Sequence, residues 1–393
     1  MPKHPVMRVE NFAQIADANI EFGDLTILVG PQASGKSLLL QLWKLALDRT
    51  EIVPALREAG DDVSTRDALL ESVFGQGTSS AWTDATSVVA NGEELAPGRL
   101  GKWIRKATEA KVFYIPAHRG LLLLEGWAQP FGRMSANVPV VARLFSQALN
   151  ERFQKVGAGK LSPGDRDLKK DYREAIDAAL FHGGTVGLVK REGTSNFRLS
   201  LQFGKADLPY MAWTAGQREF TPMLFALMRL LPPRAARKVA GVDWIVIEEP
   251  EMGLHPQAIN VVLMLVLEAL SRGYRVVLST HSPLVADFAW SLRRFRKLKA
   301  DPRLLLDELG LPHNAQTLPV AQHALEKEVR VFALNVDEHD YRVRSQDISE
   351  LDPSSEDEVE SGWGGLTSFS NRIGNSVARA VNEAGECHVR PAC

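Results

Sequence analysis

Cysteine is nearly absent: two residues in 393, Cys387 and Cys393, without CxxC spacing or a histidine cluster beside them, which excludes a disulfide framework and a thiolate zinc site. Long apolar runs are missing too. The longest, starting at Val261, runs into Glu268 and falls far short of the roughly 20 residues that cross a bilayer. No segment is expected to span a membrane. The first residues reach Arg8, Glu10 and Asn11 before any apolar run develops, which argues against a secretory signal and for a cytoplasmic location. There is no excess of charge of one sign: 46 basic against 48 acidic side chains give a net charge of -2. No whole-molecule field therefore draws the chain to nucleic acid or an anionic membrane, and any such contact needs a local patch. What remains is an ordinary globular composition, 45% hydrophobic and 24% charged, long enough for two or three domains or one large α/β domain with insertions.

Short apolar runs at Val6 to Glu10, Ala18 to Phe22 and Leu25 to Val29, separated by Asn, Asp and Gly, predict strands, and Gly35 to Leu47 predicts a helix with a broad leucine face. Glu51 to Ala110 reads as an insertion, polar-surfaced helices followed by a loop rich in Gly, Ser and Thr. Val112 to Ile115 is a strand, and Val138 to Phe153 and Asp165 to Leu180 are helices. Thr185 to Lys190 and Phe197 to Phe203 alternate like strands paired across a Glu192-Gly193 turn. From Thr214 the pattern is helix to Leu231, strand Trp244 to Ile247, helix Pro256 to Leu270, strand Arg275 to Ser279, helix Pro283 to Lys299. Such alternation implies a mostly parallel sheet covered on both faces. After Lys299 the character changes: Asp337 to Glu360 is acid-rich, and Phe369, Ile373, Val377 and Val381 form one apolar stripe on a closing helix.

Gly30-Pro31-Gln32-Ala33-Ser34-Gly35-Lys36-Ser37 fits G-x-x-x-x-G-K-[ST], the phosphate-binding loop, and stands between a strand and a helix as the chemistry requires. Backbone N–H groups of Gly30, Gln32, Ala33, Ser34 and Gly35 would close around phosphates, with Lys36 on the β- and γ-phosphates and the Ser37 hydroxyl on magnesium. Trp244 to Ile247 followed by Glu248 and Glu249 is a buried strand ending in two carboxylates, the composition of a Walker B element. There Glu248 would hold the metal and Glu249 would polarise the attacking water.

Trp213-Thr214-Ala215-Gly216-Gln217 resembles the signature motif of ABC-type ATPases, Pro250 to Pro256 with Glu249 resembles the E-P-E-x-G-L-H-P run of the SMC, RecF and OLD-like branch, and Ser279 to Pro283 resembles its switch-histidine motif. These motifs run in the family's order from about Met7 to Leu292. The resemblance implies an α/β fold, a P-loop NTPase with an ABC-type head, its mostly parallel sheet carrying an antiparallel N-terminal β lobe and a helical insertion. It implies ATP and Mg2+ as ligands, His281 on the γ-phosphate, Asn11 near the base, and Thr214, Gly216 and Gln217 on the nucleotide of a second copy. ATPases of anti-phage defence operons and of DNA repair look similar.

The sequence departs from that pattern in places. Glu248 stands where most relatives have Asp, and Thr214 and Ala215 replace Ser and Gly. No glutamine follows Val112 to Ile115; the sequence there is Pro116-Ala117-His118-Arg119, so Arg119 is expected to serve the phosphates instead. No heptads between Ser37 and Thr214 suggest long arms. No D-x-D cluster follows a C-terminal strand, and Asp337, Glu338 and Asp340 read as a solvated loop, so an effector would be a separate chain. Two basic stretches, Arg293, Arg294, Arg296, Lys297 and Lys299, and Arg229, Arg234, Arg237 and Lys238, read as solvated helix ends, with DNA phosphates the alternative ligand for either.

The expected division is 1–50 (β lobe and Walker A), 51–183 (helical insertion with one core strand near 112–116), 184–299 (signature, Walker B, D-loop and switch histidine) and 300–393 (C-terminal extension). The expected activity is ATP hydrolysis by a self-associating head that controls a partner effector in anti-phage defence, against a DNA-repair clamp or, less well matched, a transporter motor subunit.

Overall fold

The computed structural model describes residues 4–97, 108–156, 159–164, 167–190, 197–232 and 237–389. The anticipated Glu192-Gly193 turn, Asp165, Arg234, Cys393 and the side chain of Cys387 lie outside the described residues, and Arg237 is exposed. Strands are β1 (Val6–Phe12), β2 (Ile15–Glu21), β3 (Leu25–Val29), β4 (Trp82–Ala90), β5 (Glu93–Glu94), β6 (Val112–Ile115), β7 (Leu123–Leu124), β8 (Trp127–Ala128), β9 (Gly159–Lys160), β10 (Thr185–Lys190), β11 (Phe197–Phe203), β12 (Ala206–Pro209), β13 (Trp244–Glu248), β14 (Arg275–Ser279), β15 (Val329–Val336) and β16 (Val343–Asp347). The helices are α1 (Lys36–Glu58), α2 (Arg66–Phe74), α3 (Val140–Val156), α4 (Lys170–Ile176), α5 (Ala215–Leu230), α6 (Pro256–Ser271), α7 (Pro283–Leu298), α8 (Pro302–Glu308), α9 (Leu318–Leu325), α10 (Glu358–Ser361) and α11 (Ser368–Val389).

Ten strands make one sheet in the order β5-β4-β1-β2-β16-β15-β3-β14-β13-β6. From β15 to β6 neighbouring strands are parallel, and their register sets Ile247 beside Leu278 on one side and Ile115 on the other. Every residue of β3 and β13 is buried, as a central strand covered on both faces demands. Alternation divides their side chains: Leu25, Ile27, Ile245 and Ile247 join the core with α5, α6 and α7, whereas Leu28, Trp244 and Val246 join the core with α1 and α2. On that second side Phe22 stacks on Trp43 with centroids 4.2 Å apart, and Trp244 meets Trp43 edge-on at 5.2 Å. Helix α6 is apolar nearly all round and correspondingly buried. A smaller antiparallel sheet, β12-β11-β10-β9, leads into the turn before α5.

The structure corrects the anticipated organisation in three places. The loop expected before Val112 contains β4, which pairs with β1 (Arg8 beside Val89) and packs Trp82 against Phe12 at 5.8 Å. Helix α1 does not stop at Leu47 but breaks at Asp48 and continues to Glu58. The break is held by Asp48, whose carboxylate accepts from the N–H groups of Lys111 (2.7 Å) and Val112 (2.8 Å) and from Lys44 Nζ (2.7 Å). The largest correction concerns residues 300–393. Far from being an appendage, they supply β15, inserted beside β3, and β16, which joins β15 to β2. The closing helix α11 does form, and its stripe of Phe369, Ile373, Val377 and Val381 is exposed.

Candidate active site

Strand β3 delivers the chain to Gly30 at φ +145°, where a Cβ would stand 2.5 Å from the carbonyl oxygen of Leu334 on β15. Only glycine fits that approach. Ala33 (φ +60°) and Gly35 (φ +82°) are also left-handed, and the successive turns curl backbone N–H groups into an anion-binding concavity at the N-terminus of α1. Gln14, in the β1–β2 hairpin, donates to the Ala33 carbonyl at 3.0 Å and pins the loop. Lys36 is buried and folds onto its own loop, donating to the carbonyls of Gly30 and Pro31 (both 2.9 Å) and to Ser34 Oγ (3.2 Å). Burial pushes its ammonium down to about 8, while the charges of Glu249 and Glu251 pull the other way. Gln32 and Ser37 are exposed.

Two strands away, β13 ends in Glu248, 4% exposed, whose two oxygens accept from Tyr114 Oη (2.8 Å) and the Ala117 N–H (3.0 Å). Glu249 leaves the strand at φ +42°, a conformation a non-glycine residue holds at a cost of order 1–3 kcal/mol. Its N–H donates to the Ser279 carbonyl at 2.9 Å, and its carboxylate lies 3.6 Å from His281 Nε2. Burial and the nearby Lys36 charge lower the His281 pKa, against the pull of Glu249 and Glu251. Glu251 Oε1 accepts from both Thr280 Oγ1 and the His281 N–H, each at 2.7 Å. The second glutamate of the E-P-E run thereby fixes the switch turn.

The donor set suits magnesium. Among the described residues no group of three or more His, Cys, Asp or Glu forms an all-protein cage, and Mg2+ is characteristically held by one or two protein oxygens plus phosphates and waters. Ser37 is exposed beside Lys36, and Glu248 keeps lone pairs beyond the two that Tyr114 and Ala117 use. Those two donors aim the carboxylate as outer partners of a metal ligand do.

Thr214 caps α5 in a reciprocal box: its hydroxyl accepts from the Gln217 N–H (3.3 Å), and Gln217 Oε1 accepts from the Thr214 N–H (3.2 Å). Gln217 Nε2 donates to the Leu180 carbonyl at 3.0 Å, so the Gln217 side chain, predicted to touch nucleotide, is spent within the chain. The exposed helix end still presents the N–H groups of Ala215 and Gly216, which have no intrahelical acceptors. Gly216 packs against Gly253 of the D-loop.

Arg119 does not serve phosphates. It is fully buried, donating to the carbonyls of Glu219 (2.9 Å), Glu248 (2.9 Å), Pro116 (3.1 Å) and Glu249 (3.1 Å). Asn11 sits at a bulge between β1 and β4 with its amide spent on the Ala85 carbonyl (3.3 Å) and on Arg342 (3.3 Å). Of the basic helix, Arg293 donates to the Val329 carbonyl (2.7 Å) and pairs with Glu350, and Arg296 donates to the Lys327 carbonyl (3.1 Å). These two tie α7 to the approach of β15, and Arg294 lies over Trp290 at 5.8 Å. Sequence reasoning missed Tyr114, Gln14 and the role of Glu251. A polar tip in the strand Val-Phe-Tyr-Ile was the one available signal for Tyr114, whereas the hairpin that aims Gln14 leaves no pattern.

A family model described as "AAA domain, putative AbiEii toxin, Type IV TA system" matches residues 149–287, which contain α5, β13, the D-loop and His281 but not the phosphate loop. An OLD nuclease of Thermus scotoductus is 24% identical over 343 residues, covering 75% of this chain and 61% of that protein. The chain thus spans about three fifths of the length of this curated relative. Among solved structures, an SMC head bound to the C-terminal winged-helix domain of ScpA aligns at TM-score 0.42 and 10% identity, covering 88% of this chain and 97% of that one. The SMC head domain from Thermotoga maritima aligns at TM-score 0.31 and 14% identity, covering 73% and 92%.

Proposed function

We propose that this chain, an ABC-type ATPase of the SMC/OLD-like branch, binds Mg-ATP and hydrolyses it in composite sites formed by two copies, using nucleotide state to control a partner. One observation carries the reading: the Lys36 loop, Glu248 and Glu249, and His281 all lie at the same ends of the adjacent parallel strands β3, β13 and β14. Ligands bind at those carboxyl ends in open α/β sheets.

The chain's own residues then have separable tasks. The loop N–H groups and Lys36 hold the triphosphate, and Lys36 exchanges its contacts with Gly30, Pro31 and Ser34 for phosphate oxygens. Ser37 and Glu248 would hold magnesium, which supplies charge neutralisation at the β- and γ-phosphates. Glu249 accepts a proton from the water that attacks the γ-phosphorus, and His281 positions that water and the departing phosphate. The exposed start of α5, with Thr214 and Gly216, donates to the γ-phosphate bound by the sister copy, where the helix dipole favours negative charge. The biological setting we propose is anti-phage defence through a separate effector chain; the matched family's toxin–antitoxin description supports it by analogy alone. The DNA-clamp alternative is weakened because Arg293 and Arg296 are engaged within the chain.

The test is Glu249→Gln in the full chain, with mass measured with and without Mg-ATP. The expected result is a nucleotide-bound pair that persists because hydrolysis is blocked; a monomer without nucleotide overturns the reading.

A further inference from the structure

The segment from Tyr114 to Gly120 touches the acids of β13 and the first turns of α5 at once. Arg119 spends four of its five N–H donors on four carbonyls from three places: Nε on Glu219 of α5, Nη1 on Pro116 and Glu248, and Nη2 on Glu249. Its nearest carboxylate oxygen, on Glu219, is 4.0 Å away. Its hydrogen bonds all go to carbonyls, while the charges of Glu219, Glu251, Glu248 and Glu249 offset its burial from a longer range. Its planar fork does make a rigid plate, so the Glu219 and Glu249 carbonyls cannot move independently without breaking a bond. The next residue strengthens the grip. Gly120 N–H donates to Glu219 Oε2 (3.3 Å), and Tyr210 Oη bridges the carbonyls of Gly120 (3.0 Å) and Arg218 (3.2 Å). Glu249, at the other end of the plate, is the residue held in the left-handed conformation.

We propose that Arg119 is a positioning residue that couples the signature end of α5 to the carboxylate of Glu249, so that engagement of α5 by the sister copy's triphosphate sets the water-activating group of this copy. The inference rests on the composite-site reading above and adds its regulation: each site fires according to the occupancy of the other. A shift of Glu249 by a fraction of an ångström suffices, because misplacement of about 1 Å costs on the order of 100-fold in rate.

The experiment compares the full-length wild type with Arg119→Lys and Tyr210→Phe, reading ATP hydrolysis against ATP concentration, ATP-dependent pairing and thermal unfolding. Lysine keeps the charge but has no planar fork. Arg119→Lys is expected to lower kcat by about tenfold or more with KM within about twofold, and to reduce the Hill coefficient from above one to one. Tyr210→Phe removes a single hydroxyl and no charge, so it keeps the fold if lysine does not; it is expected to lower the Hill coefficient with kcat largely retained. Wild-type cooperativity in both variants, or a kcat loss that merely follows the folded fraction, overturns the coupling alone. A wild type that neither pairs nor hydrolyses ATP overturns the functional reading and this inference together.

Discussion

Gly216 and Gly253 meet with no room for a side chain between them: a Cβ on Gly216 would stand 2.7 Å from the Gly253 carbonyl oxygen, and Gly253 itself has φ +69°. The contact seats the start of α5 on the D-loop that follows Glu249. Gly216→Ala must push the two segments apart, an overpacking cost of about 1–3 kcal/mol. The expected result is that loss in chemical denaturation, together with weaker ATP-dependent pairing. Gly132→Ala, where nothing lies within 4 Å of the added Cβ, is the control and should be neutral in both measurements.

Glu248 is one methylene longer than the aspartate of the pattern it resembles, and the structure shows what the length reaches. Glu248→Asp draws the carboxylate back from Tyr114 Oη, leaving a fully buried hydroxyl unpaired at a cost of about 1–3 kcal/mol. Tyr114→Phe removes that orphan. In a double-mutant cycle the Asp substitution should therefore destabilise the wild-type background more than the Phe background, with a coupling above about 0.5 kcal/mol. Additive effects would show that the Tyr114 bond does not hold the carboxylate.

Much of the part that carries the motifs was readable because its strands are short, apolar and continuous. Leu25–Val29, Val112–Ile115 and Arg275–Ser279 have the bounds their composition suggests, and β13 and β14 run parallel with Glu248 beside Ser279. The failures share one cause, pairing between residues distant in sequence. β15 is far along the chain from β3, and nothing local says that Val331 will lie beside Ile27. Arg119 misled for a related reason. An arginine after the strand where the resembled pattern carries a glutamine suggests a ligand contact, and only the packed carbonyls of Glu219, Glu248 and Glu249 show that its donors are already used.

Glu268 gives the molecule a defined acid limit. Its carboxylate is 2% exposed and accepts from Arg272 (2.9 and 2.6 Å), Lys169 (2.8 Å) and Tyr172 (2.8 Å), joining α6 to α4. Burial alone would raise its pKa, but Lys169 and Arg272 outweigh burial and hold it below the ordinary glutamate value. Its folded pKa is depressed, so its stabilisation is fully present above the unfolded glutamate value near 4.5 and disappears as pH falls through the lower folded value. The unfolding midpoint of the wild type should drop below pH 4.5 more steeply than that of Glu268→Gln. At neutral pH the Gln variant, which strands the buried Arg272 and the half-buried Lys169, should be less stable by about 3–5 kcal/mol.

The sheet order makes a sharp prediction about truncation. β15 lies between β3 and β16, so removing it exposes the hydrogen-bonding edge of the strand that carries the phosphate loop, and it also removes the Leu334 carbonyl that packs on Gly30. Val329, Val331, Phe332 and Leu334 are each at most 3% exposed, and burying such side chains contributes about 1.5–3 kcal/mol apiece. Four of them together contribute about 6–12 kcal/mol, comparable to a typical domain's whole net stability of about 5–15 kcal/mol before the lost ladder is added. A chain ending at Lys299, which retains Walker A, signature, Walker B and His281, should therefore be insoluble or unfolded and bind no ATP. A chain ending at Thr367 loses only α11, whose residues Phe369 to Glu383 are exposed, and keeps Trp363, buried with its Nε1 donating to the Leu351 carbonyl. It should unfold within about 2 °C of the full chain and hydrolyse ATP at the same rate. A soluble, ATP-binding 1–299 chain would show instead that β15 is dispensable to the nucleotide loop.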